Sequence, residues 1–245
     1  MSQARLYLMD VEGTVAPLSL VTEQLFPYAR AHFADFLKKS AGDAAVREDL
    51  ALLAEENRAE KSAGIPRLPL IDHPEQVETP RFRLDAFTYL IWLMDRDRKS
   101  TALKSLQGKV WRAGFESGRL KGTLFADVAP AFTRWAEKGQ VAIYSSGSVA
   151  AQMLLFRHST YGDLTGLISG YFDTRTGPKT ASASYTAIAA AMGVDAGAVL
   201  FFSDAVRELD AAREAGCETR LVVREGNAPV EADHQHCAIE SFAGL

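Results

Sequence analysis

The sequence predicts an α/β fold: a parallel sheet with helices on both faces and an all-helical lobe inserted after the first strand. Three observations carry this. Short apolar runs recur along the chain of 245 residues, each followed by helix-like sequence, the alternation that builds parallel sheets. The later runs follow one another compactly. The first two do not: they end at Asp10 and Ser145, 135 residues apart, whereas a βαβ unit needs only ~30.

Taken in chain order, LYLM (6–9) runs into Asp10, VAIY (141–144) into Ser145, VLFF (199–202) into Ser203 and Asp204, and TRLVV (219–223) comes near the end. Amphipathic segments at 149–158, 181–192 and 205–215 supply the crossover helices. Gly193 and Gly216 stand where helix C-caps belong. The surplus between the first two runs reads as helices over 21–39, 44–61, 81–97 and 103–117. Pro66, Pro69 and Pro74 would divide this lobe in two, and Gly118, Gly122 and the turn at 127–130 would return the chain to the sheet. The expected boundaries are 1–18 and 125–245 for the sheet and 19–124 for the lobe.

Bulk composition narrows the function. Hydrophobic residues make up 47% of the chain, enough for a core, and the net charge of −4 disfavours a nucleic-acid binder, which needs a basic face. Cys217 and Cys237 form no CxxC pair, so a disulfide scaffold or structural zinc site is not expected. No signal peptide is visible, and no apolar run approaches the ~20 residues of a membrane span. The expectation is a cytoplasmic protein without membrane or nucleic-acid partners. No heptad seam is present, so a monomer is the default.

Ligands of open parallel sheets bind beyond the carboxyl ends of the strands. That rule places Asp10, Ser145 and Asp204 on one edge. Asp10, ionised at neutral pH, is a candidate nucleophile toward a phosphoryl group. A strand-end Asp is also an ordinary turn former, and the convergence with Asp204 argues against that reading. Two carboxylates beside a phosphate need a cation, and together they make an oxygen-rich site suited to Mg²⁺. Ser145 and Ser146, in YSSGS (144–148), offer hydroxyls and backbone N–H groups to phosphate oxygens. Lys179, in GPKTASASY (177–185), reads as lying near a helix's first turn. A cation there opposes the helix dipole unless an anion is nearby. Glu208 and Asp210 could orient a metal shell, but read rather as surface positions or as partners of Arg207 or Arg213, and His234 and His236 read as part of a mobile, solvated tail. YSSGS is not a GxSxG elbow, so a Ser-His-Asp hydrolase is disfavoured.

The order of Asp, Ser, Lys and Asp at strand and helix ends resembles the four motifs of the haloacid dehalogenase-like phosphohydrolases, which have a Rossmann-like core and a cap. The flanks MDVEGTVAPLSLVTEQLFPYAR, LQGKVWRAGFESGRLKG, YSSGSVAAQMLLF, GYFDTRTGPKTASASY and FFSDAVRELDAAREAG narrow the resemblance to the acireductone synthases, the enolase-phosphatases of methionine salvage. It runs from about Tyr7 to Asn227. It implies one Mg²⁺ per subunit held by Asp10, Glu12 and Asp204, with Ser145, Ser146 and Lys179 on the substrate. Asp10, Glu12 and Lys179 would carry catalysis. Glu12 stands where most phosphatases of the superfamily have Asp. The resemblance also implies a substrate that is enolised as well as dephosphorylated, 2,3-diketo-5-methylthiopentyl-1-phosphate. The inserted lobe would close over the site, with Phe26, Trp111 and Phe115 as candidates for a tail pocket or for plain core. Two rival readings remain: a general small-metabolite phosphatase on the same scaffold, and a non-catalytic binding module.

Overall fold

The structure, a computed structural model, describes residues 5–62, 71, 76–230 and 234–245. Pro66, Pro69, Pro74 and His73 lie outside these residues. The chain divides into two compact units, one of Met1–Gln24 with Gly118–Leu245, the other of Leu25–Ser117. The residues flanking the insertion, at 19–24 and 118–124, thus group with the sheet unit.

The sheet unit begins with β1 (Arg5–Met9) and resumes, after the helical unit, with α5 (Val128–Lys138) and β2 (Gly139–Tyr144). It continues through α6 (Val149–Arg157), β3 (Gly170–Phe172), α7 (Ser182–Ala191), β4 (Val199–Ser203), α8 (Val206–Glu214), β5 (Glu218–Val222) and β6 (Cys237–Ile239). The strands form one parallel sheet in the order β3-β2-β1-β4-β5-β6. β1, β2 and β4 are almost wholly buried, as strands covered on both faces must be.

Alternation along β1 and β4 sorts side chains between those faces. Leu6, Leu8 and Phe201 pack with Tyr185, Ile188, Leu209 and Ala212 of α7 and α8. On the opposite face Tyr7 stacks on Trp135 of α5 at 4.8 Å, and Trp135 also meets Phe202 at 5.1 Å and Phe242 at 5.4 Å. Trp135 is fully buried, and its indole N–H has no hydrogen-bond partner among the described residues. Trp135→Ala should therefore destabilise this unit by about 3–5 kcal/mol, measured by urea unfolding. Trp135→Phe, which gives up no hydrogen bond, should cost much less.

Four segments differ from expectation. α5 occupies the stretch read as a return turn. Pro130 lies in its first turn, where the missing N–H has no partner to lose. β3 and β6 were not anticipated: each is three residues long, and neither is fully buried. The segment holding His234 and His236 is no solvated tail. His236 is buried, with its Nδ1 2.8 Å from Thr219 Oγ1 and its Nε2 3.1 Å from Asp210 Oδ1, directly before β6. The C-cap expectations hold, with φ of 69° at Gly193 and 93° at Gly216.

The helical unit contains α1 (Phe26–Ser40), α2 (Ala44–Ser62), α3 (Pro80–Asp95) and α4 (Thr101–Glu116), preceded by a π-helical turn over Leu20–Leu25. Ala29, Phe33 and Leu37 on α1 and Leu103, Leu106 and Val110 on α4 follow helical periodicity into a separate core. Thr79 and Ser100 cap α3 and α4 through their hydroxyls. Phe26 is partly exposed and stacks on Trp111, whose indole N–H donates to Leu25 O at 2.8 Å, while Phe115 is buried. No helix among the described residues is long and apolar enough to cross a membrane.

Candidate active site

The register fixes where the candidate residues fall. Met9 lies level with Ile143 of β2 and Phe202 of β4. Asp10, Ser145 and Asp204 therefore leave three adjacent parallel strands at one carboxyl edge. Asp10 N–H donates to Phe202 O at 2.9 Å, extending the ladder by one residue.

Beyond Asp10 the chain turns sharply. The carbonyl of Val11 accepts from the N–H groups of Thr14, Val15 and Ala16. Gly13 takes φ of +75°, and a Cβ there would lie 2.2 Å from Asp204 Oδ2. Only glycine satisfies both demands. Gly13→Ala should strain the turn and displace Asp204. We expect at least ~100-fold lower kcat for phosphate release, the size of effect seen when reacting groups are misplaced by about 1 Å, with the fold retained by circular dichroism.

Lys179 reaches the same edge from the loop before α7. Its Nζ lies 2.5 Å from Asp10 Oδ1 and 2.6 Å from Glu208 Oε2, and the side chain is only 10% exposed. It precedes the helix cap, Ala181, so the expected conflict with the helix dipole does not arise. The two carboxylates account for its position. The loop's main chain is held as firmly as the amine: Tyr144 Oη donates to Gly177 O at 2.9 Å, Ser184 Oγ to Pro178 O at 2.8 Å and Tyr185 Oη to Lys179 O at 2.6 Å.

The other oxygen of Asp10, Oδ2, accepts from Thr14 Oγ1 at 3.2 Å. Glu12 Oε2 accepts from Ser145 Oγ at 3.2 Å, and Ser145 Oγ in turn accepts from Gly147 N–H. Ser146 is exposed at the turn after β2. Glu208 is not a surface residue. It binds Lys179 and accepts from Ser203 Oγ at 2.8 Å. Its place was readable: side chains in a helix point back toward the N-terminus, and the first turn of α8 faces the carboxyl edge. Asp210 is exposed, pairing with Arg213.

Four carboxyl groups thus surround one ammonium. Burial, Asp10 and Glu208 push the Asp204 carboxyl up to about 7. Burial and Asp10 likewise raise Glu12 and Glu208. Burial works to lower the Lys179 pKa, but Asp10 and Glu208 outweigh it and hold the amine protonated. The edge carries more negative charge than its lysine can neutralise. Among the described residues, no three His, Cys, Asp or Glu side chains form a metal cage on their own.

A parallel sheet bearing an Asp–Lys pair at the end of its central strand belongs to a recognisable class. A family model for haloacid dehalogenase-like hydrolases matches residues 4–216, and the chain belongs to that family. Its relatives narrow the position further. It is 52% identical over 225 residues to Enolase-phosphatase E1 of Synechococcus elongatus, spanning 91% of this chain and 90% of that one. To the protein of the same name from Branchiostoma floridae it is 44% identical over 248 residues, spanning 97% and 82%. Among solved structures, the UTR4 protein of Saccharomyces cerevisiae superimposes with a TM-score of 0.77 at 36% identity, covering 99% of this chain and 100% of that one.

Proposed function

We propose that the chain is an Mg²⁺-dependent enolase-phosphatase converting 2,3-diketo-5-methylthiopentyl-1-phosphate to the acireductone and phosphate, a step of methionine salvage. The observation that carries this reading is the buried Lys179–Asp10 pair with Glu12 beside it. The site's donors fit a hard cation. They are oxygens, they carry excess negative charge, and Asp204 Oδ2 fills the space left by the missing side chain of Gly13. Asp10, Asp204 and the main-chain carbonyl of Glu12 would hold Mg²⁺, with water or substrate oxygens completing the set. Bound there, it would neutralise carboxylate and phosphate charge and polarise a substrate oxygen.

The chain's own groups then divide the work. Ser145 occupies Glu12 Oε2, leaving Oε1 to take the C1 proton and pass it to the C2 oxygen. A raised carboxyl pKa strengthens Glu12 as a base. Lys179 exchanges Asp10 Oδ1 for oxygens of the phosphoryl group. This frees Oδ1 to attack phosphorus, while Thr14 keeps Oδ2 in place. The acireductone departs and water hydrolyses the aspartyl phosphate. Ser145 and Ser146 supply further contacts to the substrate. A cytoplasmic setting suits the two free thiols, Cys217 and Cys237.

The diketone phosphate, supplied with and without Mg²⁺, tests this reading. Phosphate and the enediol absorbance should appear together, and only with the ion. Glu12→Gln should remove the enediol signal. Phosphate release without any enediol, together with ready hydrolysis of simple sugar phosphates, would leave a general phosphatase instead.

A further inference from the structure

Two residues from the loop after β5, two strands away at the same edge of the sheet, reach the turn that carries the nucleophile. Asn227 Nδ2 donates to Gly13 O at 2.9 Å, and Arg224 Nε donates to Thr14 O at 3.2 Å. Both lie in the loop after β5, more than 200 residues along the chain from their acceptors. Arg224 is itself immobilised. Its Nη1 and Nη2 grip Asp127 at 2.9 and 3.0 Å, Nη1 also donates to Glu240 O at 2.9 Å, and Phe125 and Phe242 flank the guanidinium at 4.5 and 4.6 Å. Only 7% of the side chain is exposed. Such a fork cannot swing away from Thr14 without breaking its ion pair.

We propose that Arg224 and Asn227 are positioning residues for the nucleophile. By holding the carbonyls of Gly13 and Thr14 they fix Thr14 Oγ1 on Asp10 Oδ2, and they keep Gly13 in the conformation against which Asp204 rests. The inference rests on Asp10 being the nucleophile, and it adds two residues that touch neither phosphate nor diketone.

The test is steady-state phosphate release, kcat and KM, with thermal denaturation, for Asn227→Ala, Arg224→Lys and Ser241→Ala. Ser241 is the control: its hydroxyl donates to Asp127 at 2.9 Å without approaching the turn. Asn227 is half-buried in a loop, so its variant keeps the question open to measurement even if Arg224→Lys does not fold. Asn227→Ala should lower kcat by about tenfold, the effect of one hydrogen bond, with KM within about twofold and Tm within about 2 °C. Arg224→Lys should lower kcat at least as far, because an ammonium cannot hold Asp127 and Thr14 together. Ser241→Ala should leave kcat unchanged. Wild-type kcat in Asn227→Ala, or a loss in Ser241→Ala equal to that in the other two, would overturn the proposal. If Asp10→Asn remains active, the functional reading fails instead, and the two failures are thereby told apart.

Discussion

Asp10→Asn should abolish phosphate release, with a fall of at least ~10⁴-fold in kcat. The substitution is nearly isosteric and removes only the charge and nucleophilicity of Oδ1. An amide oxygen does not form the acyl phosphate. Removals of a nucleophile commonly cost 10⁴–10⁶-fold. The fold should survive and melt no lower than wild type. Lys179 keeps Glu208 at 2.6 Å, and one source of repulsion on Asp204, Glu12 and Glu208 disappears. A variant that retains its melting temperature and loses turnover places the defect in chemistry. Turnover at the normal rate would rule out the covalent scheme.

Lys179→Met should damage both activity and stability. Among the described residues, its ammonium is the one cation paired with Asp10 and Glu208. Removing it leaves those carboxylates buried without their partner, which typically costs about 3–5 kcal/mol. Part of this loss should be recovered by proton uptake, since the neighbouring carboxyls already sit above their ordinary range. Activity should fall by at least ~10³-fold, because the incoming phosphate loses its charge complement. Lys179→Arg should not restore it: the guanidinium is a planar fork, and the loop's fixed main chain leaves no slack for a longer head. Thermal denaturation and phosphate release of the two variants check both parts. A Lys179→Met protein with wild-type turnover would remove this residue from the mechanism.

The sequence was most informative where a physical signal is local. Apolar runs covered on both faces are unmistakable, so β1, β2, β4 and β5 could be placed, and with them the edge where Asp10, Ser145 and Asp204 meet. The four α-helices described in the inserted unit followed from their periodicity. What stayed hidden depends on tertiary context. β3 and β6 are three residues each and contribute little burial of their own, and α5 was masked by Pro130. Glu208 was read as a solvated helix position because its helix is rich in charge, although the strand–helix order already put the first turn of α8 at the carboxyl edge. Arg224 and Asn227 gave no signal at all, since their partners are backbone carbonyls of Gly13 and Thr14, and a carbonyl carries no residue code.

The three hydroxyls that hold the carbonyls of residues 177–179 bear on how quickly the lysine can act. With its Cα anchored by Tyr144, Ser184 and Tyr185, Lys179 keeps freedom only in its aliphatic torsions. Transfer of the ammonium from carboxylate to phosphate is then a change of side-chain rotamer, with no segment of backbone to refold. The site is wired as a pivot on a rigid mount, and its charge can be re-aimed at each turnover while the loop stands still.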